Sequence, residues 1–442
     1  MNTPAFLQRL LRRVVPPMDS GRSAERKAHN AIELCKALLS ERGEVSGAAL
    51  ARDALDAYDA LPADALTFYI DLLASEFSPD PAHIAQQAAA YAQNPTPQNL
   101  IALQRAVESP RQELFRRLNI APGATAALVD MRRQLLGELR THPQWAGVDA
   151  DLAHLFRSWF NRGFLRLERI DWHTPAIVLE KLIQYEAVHE IAGWKDLQRR
   201  LSGDRRCFAF FHPALPDEPL IFIEVALTDR MSNTVAPLLD QDSQEADPVL
   251  ADCAMFYSIT NCQDGLRGIS FGNLLIKQVV EELGREFPRL KTFATLSPLP
   301  GFRSWLIDAM RDNSAIPPEL ANAQAADLMP KTETAAKLRS QLLSLGAYYL
   351  TAVNKDGDPL DSVARFHLGN GARMERLNVL ADTSRHGMQR SLGMMVNYVY
   401  RLADVESNHQ AFLREHKIAM SHEIRRLARE CVLARPLPAS AQ

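Results

Sequence analysis

A chain of 442 residues exceeds what one hydrophobic core usually supports, so two or three domains are expected. Its 47% apolar and 23% charged residues are those of an ordinary soluble globular protein. A net charge of -3 argues against a dedicated nucleic-acid binder, though not against a local basic pocket for a small polyanion.

The cysteines, Cys35, Cys207, Cys253, Cys262 and Cys431, are scattered and odd in number, with no C-x-x-C pair. That pattern points to neither a disulfide framework nor a thiolate zinc site, and fits a reducing compartment. No apolar run approaches the roughly 18–20 residues of a membrane helix. The opening MNTPAFLQRLLRRVVPP, with Arg9, Arg12 and Arg13, reads as a short surface helix stopped by Pro16-Pro17 rather than an organelle leader. The closing Ser440-Ala441-Gln442 is not a peroxisomal signal.

In chain order, the first part reads as helical. Leu66, Tyr69, Ile70, Leu73 and Phe77 recur at helical spacing, as do Leu128, Met131, Leu135 and Leu139. Ser109-Pro110-Arg111-Gln112 combines an N-cap serine, a proline at the first helical position and a capping-box glutamine. Pro79-Asp80-Pro81, the Pro95–Pro97 segment and Pro122-Gly123 separate helices. After about Glu168, β-type runs appear at 207–211, 220–227, 253–259 and 292–296, and Leu215-Pro216-Asp217-Glu218-Pro219 reads as a hairpin connection. A helix follows over 272–286, with Ile276, Val279, Val280 and Leu283 on one face. Residues 312–335 look like a loose insertion or weak helix, and 387–431 like a helix-rich tail. The expected fold class is α+β in two domains. Residues 1–168 form a helical bundle, and 169–442 a mixed α/β domain.

The chemistry concentrates between Phe256 and Phe302. A strand leads into the loop Gly265-Leu266-Arg267-Gly268-Ile269-Ser270-Phe271-Gly272-Asn273 at a helix start, an arrangement that favours an anion through free N–H groups and the helix dipole. It is neither a P-loop nor a dinucleotide fingerprint. Gly268-Ile269-Ser270-Phe271-Gly272 also matches the G-x-S-x-G nucleophile elbow. An elbow needs a tight strand-to-helix turn, however, and about eight residues separate Ile259 from Gly268. Ser297, ahead of Pro298-Leu299-Pro300-Gly301-Phe302, then places a hydroxyl at the C-terminal end of the next strand.

Among the histidines, His422-Glu423 lacks the second His of H-E-x-x-H, and His409 with His416 reads as a solvated or capping pair. His367 lies in a strand-like Val363–Ala372 segment ending in a Gly-Asn-Gly turn. There it serves either as a satisfied core group or in proton transfer.

LRGISFGNLLIKQVVEEL, TLSPLPGF, ARFHLGNGA and MMVNYVY, in this order, resemble malonyl-CoA decarboxylase, and the likeness extends over 157–412. The resemblance implies a GNAT-like C-terminal catalytic domain whose glycine loop binds the CoA pyrophosphate, and a helical N-terminal domain for oligomerisation. It implies conversion of malonyl-CoA to acetyl-CoA and CO2 through a thioester enolate, with Ser297 and His367 as the acid/base pair. Acyl-CoA binding falls on Arg267, Gly268, Ile269, Ser270, Phe271, Gly272, Asn273, Ser297 and Tyr400. No metal or separate cofactor is expected, since the thioester itself is the electron sink. The expected partners are malonyl-CoA and acetyl-CoA, with no nucleic acid or membrane, in a homodimer or homotetramer of a bacterial-type cytoplasmic enzyme. The competing readings are a GNAT-type N-acyltransferase and a serine hydrolase using Ser270.

Overall fold

A computed structural model describes residues 20–269, 275–355 and 357–434. They divide into two compact units: residues 20–164 with 213–215 and 263–269, and residues 165–212, 216–262 and 275–434.

The first unit is helical. The face predicted over 63–77 forms the Ala63–Glu76 helix, with Tyr69, Ile70 and Leu73 buried and Phe77 just beyond its end. Tyr69 packs on Tyr58 and contacts the Cys35 thiol of the Ser20–Leu39 helix. Ser109 caps the Pro110–Leu118 helix, its hydroxyl accepting from the Arg111 N–H at 3.2 Å. The expected capping box does not close. Gln112 instead donates to Asp151 Oδ1 at 2.8 Å, because Asp151 is buried beside Arg111 and needs every donor in reach. In the Ala124–Glu138 helix, buried Arg132 pairs with Asp149 and donates to the carbonyls of Gly265 and Arg267 at 2.7 and 3.0 Å. It thereby fixes the start of the glycine loop.

The second unit is built on a mixed sheet of β1 (Arg166–Ile170), β2 (Arg205–His212), β3 (Leu215–Thr228), β4 (Cys253–Asn261), β5 (Thr292–Thr295), β6 (Ser297–Pro298), β9 (Arg373–Asn378) and β10 (Met395–Val399). β7 (Asn354–Lys355) and β8 (Asp358–Pro359) form a separate small ribbon. The main order is β1-β2-β3-β4-β5-β10-β6, with β9 on β10. β5 and β6 are consecutive pieces of chain that both pair with β10. β4 and β5 pair in parallel, joined by a crossover through the Leu275–Glu286 helix. Ile276, Val279, Val280 and Leu283 of that helix are buried, as its periodicity implies. The fold class is therefore the expected one, a helical N-terminal part and a mixed α/β C-terminal part.

Several local expectations are corrected. The β2–β3 turn falls at 213–214, and Leu215–Pro219 belongs to β3. Pro216 and Pro219 are tolerated because pairing with β4 begins only at Ile221. Residues 312–335 are not loose, since two short 3-10 turns there bury Ile316, Leu320, Ala323 and Leu328. The tail contains β10 as well as helices. Met395–Val399 is buried throughout and so carries no period-2 alternation to mark it as a strand. All five cysteines are free and buried, and no helix among the described residues is long and apolar enough to cross a membrane.

A Cβ on Gly265 would overlap the Val129 backbone carbonyl, which no side-chain rotation relieves. Gly265→Ala is therefore expected to lower unfolding free energy by about 1–3 kcal/mol. Denaturant titration with an unchanged midpoint would contradict that packing.

Candidate active site

β4 and β5 run together from Cys253↔Thr292 to Phe256↔Thr295, and one last bond joins Leu296 N–H to the Phe256 carbonyl at 2.9 Å. Beyond it they part. β4 continues to Asn261 paired only with β3, and Tyr257 is the extra residue of a bulge that bends the strand. The other chain passes through Leu296 into β6, held by β10 through Val396↔Ser297 and Met395↔Pro298. A cavity of about 230 Å³ occupies the gap, walled by Phe256–Ile259 on one side and Leu296–Pro298 on the other. Ser297 and His367 both line it.

His367 comes from a helix, Ser362–Gly369, rather than the expected strand. The cause is a strong local cap. Asp361, 2% exposed, accepts from the Ala364 N–H at 2.9 Å and from the Tyr349 hydroxyl at 3.3 Å. This cap outweighs the β-type character of Val363 and Phe366. At the other end His409 Nδ1 donates to the Gly369 carbonyl at 2.6 Å, the capping role open to it in the sequence. His416 meets Asp358 instead.

His367 Nε2 lies 2.8 Å from Ser297 Oγ, and Nδ1 lies 2.8 Å from the Tyr400 hydroxyl. The Tyr398 ring stacks on the imidazole at 4.5 Å between centroids. Tyr398 and Tyr400 alternate with Val399, so one face of the β10 end supplies both the stacking ring and the hydroxyl. Ser297 also donates to Thr295 Oγ1 at 2.9 Å. Burial pushes the His367 pKa down to about 3 and raises that of the Tyr400 phenol, so imidazole and phenol are both neutral at physiological pH.

The structure thus brings Ser297, His367 and Tyr400 together. Arg267, Gly268 and Ile269 belong to the first unit, where Arg132 holds the loop. Ser270, Phe271, Gly272 and Asn273 lie outside the described residues. Sequence reasoning missed Thr295 and Ser258. Thr295 could have been found as the polar residue two positions before Ser297 on a buried strand. Ser258, on the diverging half of β4, donates to the buried Glu186 carboxylate at 2.8 Å. Glu186 also takes the nearby N–H groups of Val188 and His189, whereas its bond to Ser258 is set by tertiary contact and leaves no sequence signal.

The His367 pKa near 3 lies below its ordinary 6.5, so between these values the unfolded chain binds the extra proton. Stability from this group is complete above about pH 6.5 and is lost as the pH falls toward 3, by up to about 1.4 kcal/mol per pH unit. Burial lowers His189 in the same direction, to about 4. Denaturation between pH 7.5 and 4 is expected to show a shallower acid slope in His367→Gln than in the parent; equal slopes would refute the buried neutral imidazole.

Comparison with known proteins shows the family. The malonyl-CoA decarboxylase C-terminal domain model matches residues 163–436, and the N-terminal domain model matches 77–160. The chain is similar to the crystal structure of malonyl-CoA decarboxylase from Rhodopseudomonas palustris, at 49% identity and a TM-score of 0.83, covering 90% of this chain and 99% of that one. The corresponding structure from Agrobacterium vitis shares 48% identity at a TM-score of 0.81, with the same coverage of 90% and 99%. The mitochondrial malonyl-CoA decarboxylase of Rattus norvegicus is 32% identical over 462 residues, covering 96% of this chain and 90% of the relative. By these matches the chain belongs to the malonyl-CoA decarboxylase family.

Proposed function

We propose that this protein is a carboxy-lyase converting malonyl-CoA to acetyl-CoA and CO2, with Ser297 and His367 as its acid/base pair. The observation that carries the reading is the chain Ser297–His367–Tyr400, hydrogen-bonded in sequence and opening into the cleft between diverging strands.

The C–CO2 bond of the malonyl group breaks, and its electron pair moves onto the thioester oxygen as an enolate. Orientation matters first, because the breaking bond must stand perpendicular to the carbonyl plane for that overlap. Hydrogen-bond donors aimed at the enolate oxygen lower the barrier, each by about 2.7–4 kcal/mol in comparable sites. Electrons then return to form a C–H bond at the α-carbon with the Ser297 hydroxyl proton. His367 replaces that proton from Nε2, takes one from Tyr400 at Nδ1, and solvent restores Tyr400 after product leaves. Neutral donors suffice, because an enolate carbon is more basic than a serine hydroxyl. The thioester is the electron sink, so the scheme calls for no separate cofactor or metal. Loop residues Arg267, Gly268, Ile269, Ser270, Phe271, Gly272 and Asn273 are assigned to the CoA pyrophosphate, and Tyr400 to the pocket as well as the proton chain.

Incubation with malonyl-CoA and no acceptor is expected to release CO2 and acetyl-CoA; a requirement for an amine acceptor would indicate N-acyl transfer. Ser297→Ala and His367→Ala are each expected to lose about 10²–10⁴-fold in turnover while retaining CoA-ester binding. Near-normal turnover in both would overturn the assignment.

We also propose a homodimer or homotetramer associating through the helical N-terminal domain, here residues 1–168, with the catalytic domain over 169–442. Leu100, Ile101 and Val107 of the Pro97–Val107 helix are exposed apolar side chains suited to such a contact. Analytical ultracentrifugation is expected to give two or four copies, fewer in Ile101→Asp; a monomeric parent protein would rule this out. The proposed compartment is the cytoplasm, in line with bacterial relatives and buried free thiols.

A further inference from the structure

We propose that Thr295 is a positioning residue that sets the direction of the proton chain and thereby holds His367 as its Nε2–H tautomer. The inference rests on the decarboxylase reading only for its catalytic consequence, not for the tautomer.

Thr295 is fully buried at the end of β5, beside the stretch of β10 where the β9–β10 register shifts between Asn397 and Tyr398. Its carbonyl accepts from Asn397 Nδ2 at 2.7 Å, and its hydroxyl oxygen accepts the Tyr398 backbone N–H at 3.2 Å. A backbone amide cannot reverse its role, so this bond occupies one lone pair of the Thr295 oxygen and leaves the second for the Ser297 hydroxyl. The same oxygen accepts the Ser297 hydroxyl at 2.9 Å. Serine has one hydroxyl proton, and it is directed at Thr295. Toward His367, Ser297 Oγ is therefore an acceptor, and the 2.8 Å contact places a proton on Nε2. A neutral imidazole carries one N–H, so Nδ1 accepts, and the 2.8 Å partner Tyr400 donates. The chain reads Tyr400 to His367 to Ser297 to Thr295, with each of these protons pointing away from Tyr400 and that of His367 toward Ser297, which lines the cleft.

This polarity suits protonation of carbon. When the Ser297 hydroxyl swings from Thr295 to the α-carbon, the His367 Nε2–H already faces the oxygen left behind. Without the Thr295 acceptor, Ser297 would turn its proton onto Nε2, and the imidazole would shift to Nδ1–H donating to Tyr400. The relay would then point away from the substrate.

Histidine-15N NMR of the parent protein is expected to show His367 as Nε2–H. Thr295→Val, which keeps the shape but not the oxygen, is expected to move it to Nδ1–H. In that variant kcat should fall about 10- to 100-fold with KM little changed. Thr295→Ser should restore both tautomer and kcat. A parent protein in the Nδ1–H form, a Thr295→Val variant with an unaltered tautomer, or a folded Thr295→Ser variant that restores neither would each overturn the proposal. The parent spectrum decides even if Thr295→Val does not fold. The tautomer is read without substrate, so its outcome stands apart from turnover in Ser297→Ala, which tests the function itself.

Discussion

The second unit depends on where one pair of parallel strands stops pairing. β4 and β5 share a ladder as far as Phe256 and Thr295, and after the Leu296–Phe256 bond each follows a different neighbour. β4 keeps β3 and absorbs the divergence in a bulge at Tyr257. The other chain bends into β6 and is caught by β10, where the Asn397 side chain bonds the Thr295 carbonyl. Buried backbone groups must find partners, so a strand can leave a ladder only where such substitutes exist. The gap opens directly at Ser297, and the cleft is a consequence of strand geometry.

Burial decides the electrostatics of the site. His367 bonds Ser297 through one nitrogen and a phenol through the other, so neither nitrogen is held by a carboxylate that would stabilise an imidazolium. Desolvation alone then keeps the ring neutral, and the same desolvation keeps Tyr400 protonated. A serine-hydrolase triad uses its buried carboxylate to favour the charged ring; here the ring belongs to a chain of neutral donors. In the proposed chemistry that suits the substrate, which brings its own negative charge and needs a proton rather than a nucleophile. Bonds among neutral groups in a dry pocket also reinforce one another, so the chain acts as a unit.

Much of this was legible in residue patterns. The helices of the first unit follow from apolar spacing at Leu66, Tyr69, Ile70 and Leu73 and from proline and serine punctuation at Ser109-Pro110. Strands β2 to β5 announce themselves as short apolar runs bounded by turn residues. Ser297 and His367 stood out by motif, although their partnership spans 70 residues. What escaped notice was of three kinds. β1, Arg-Leu-Glu-Arg-Ile, carries too many charges to read as a strand, and β10 is too uniformly buried to alternate. The His367 helix owes its form to Asp361, whose cap is itself held by Tyr349 of the preceding Glu333–Thr351 helix.

Local chemistry was thus determined by the sequence alone: which stretches favour helix or strand, where chain breaks fall, and which hydroxyl and imidazole are available. Those properties depend on neighbours within a few residues, and they are written in spacing. Only the tertiary structure decided that Ser297 and His367 meet at 2.8 Å and that Thr295 takes the serine proton. It also decided that the imidazole is neutral. Hydrogen-bond direction and desolvation are set by atoms brought in from β4, β10 and the Ser362–Gly369 helix, and no local pattern encodes them.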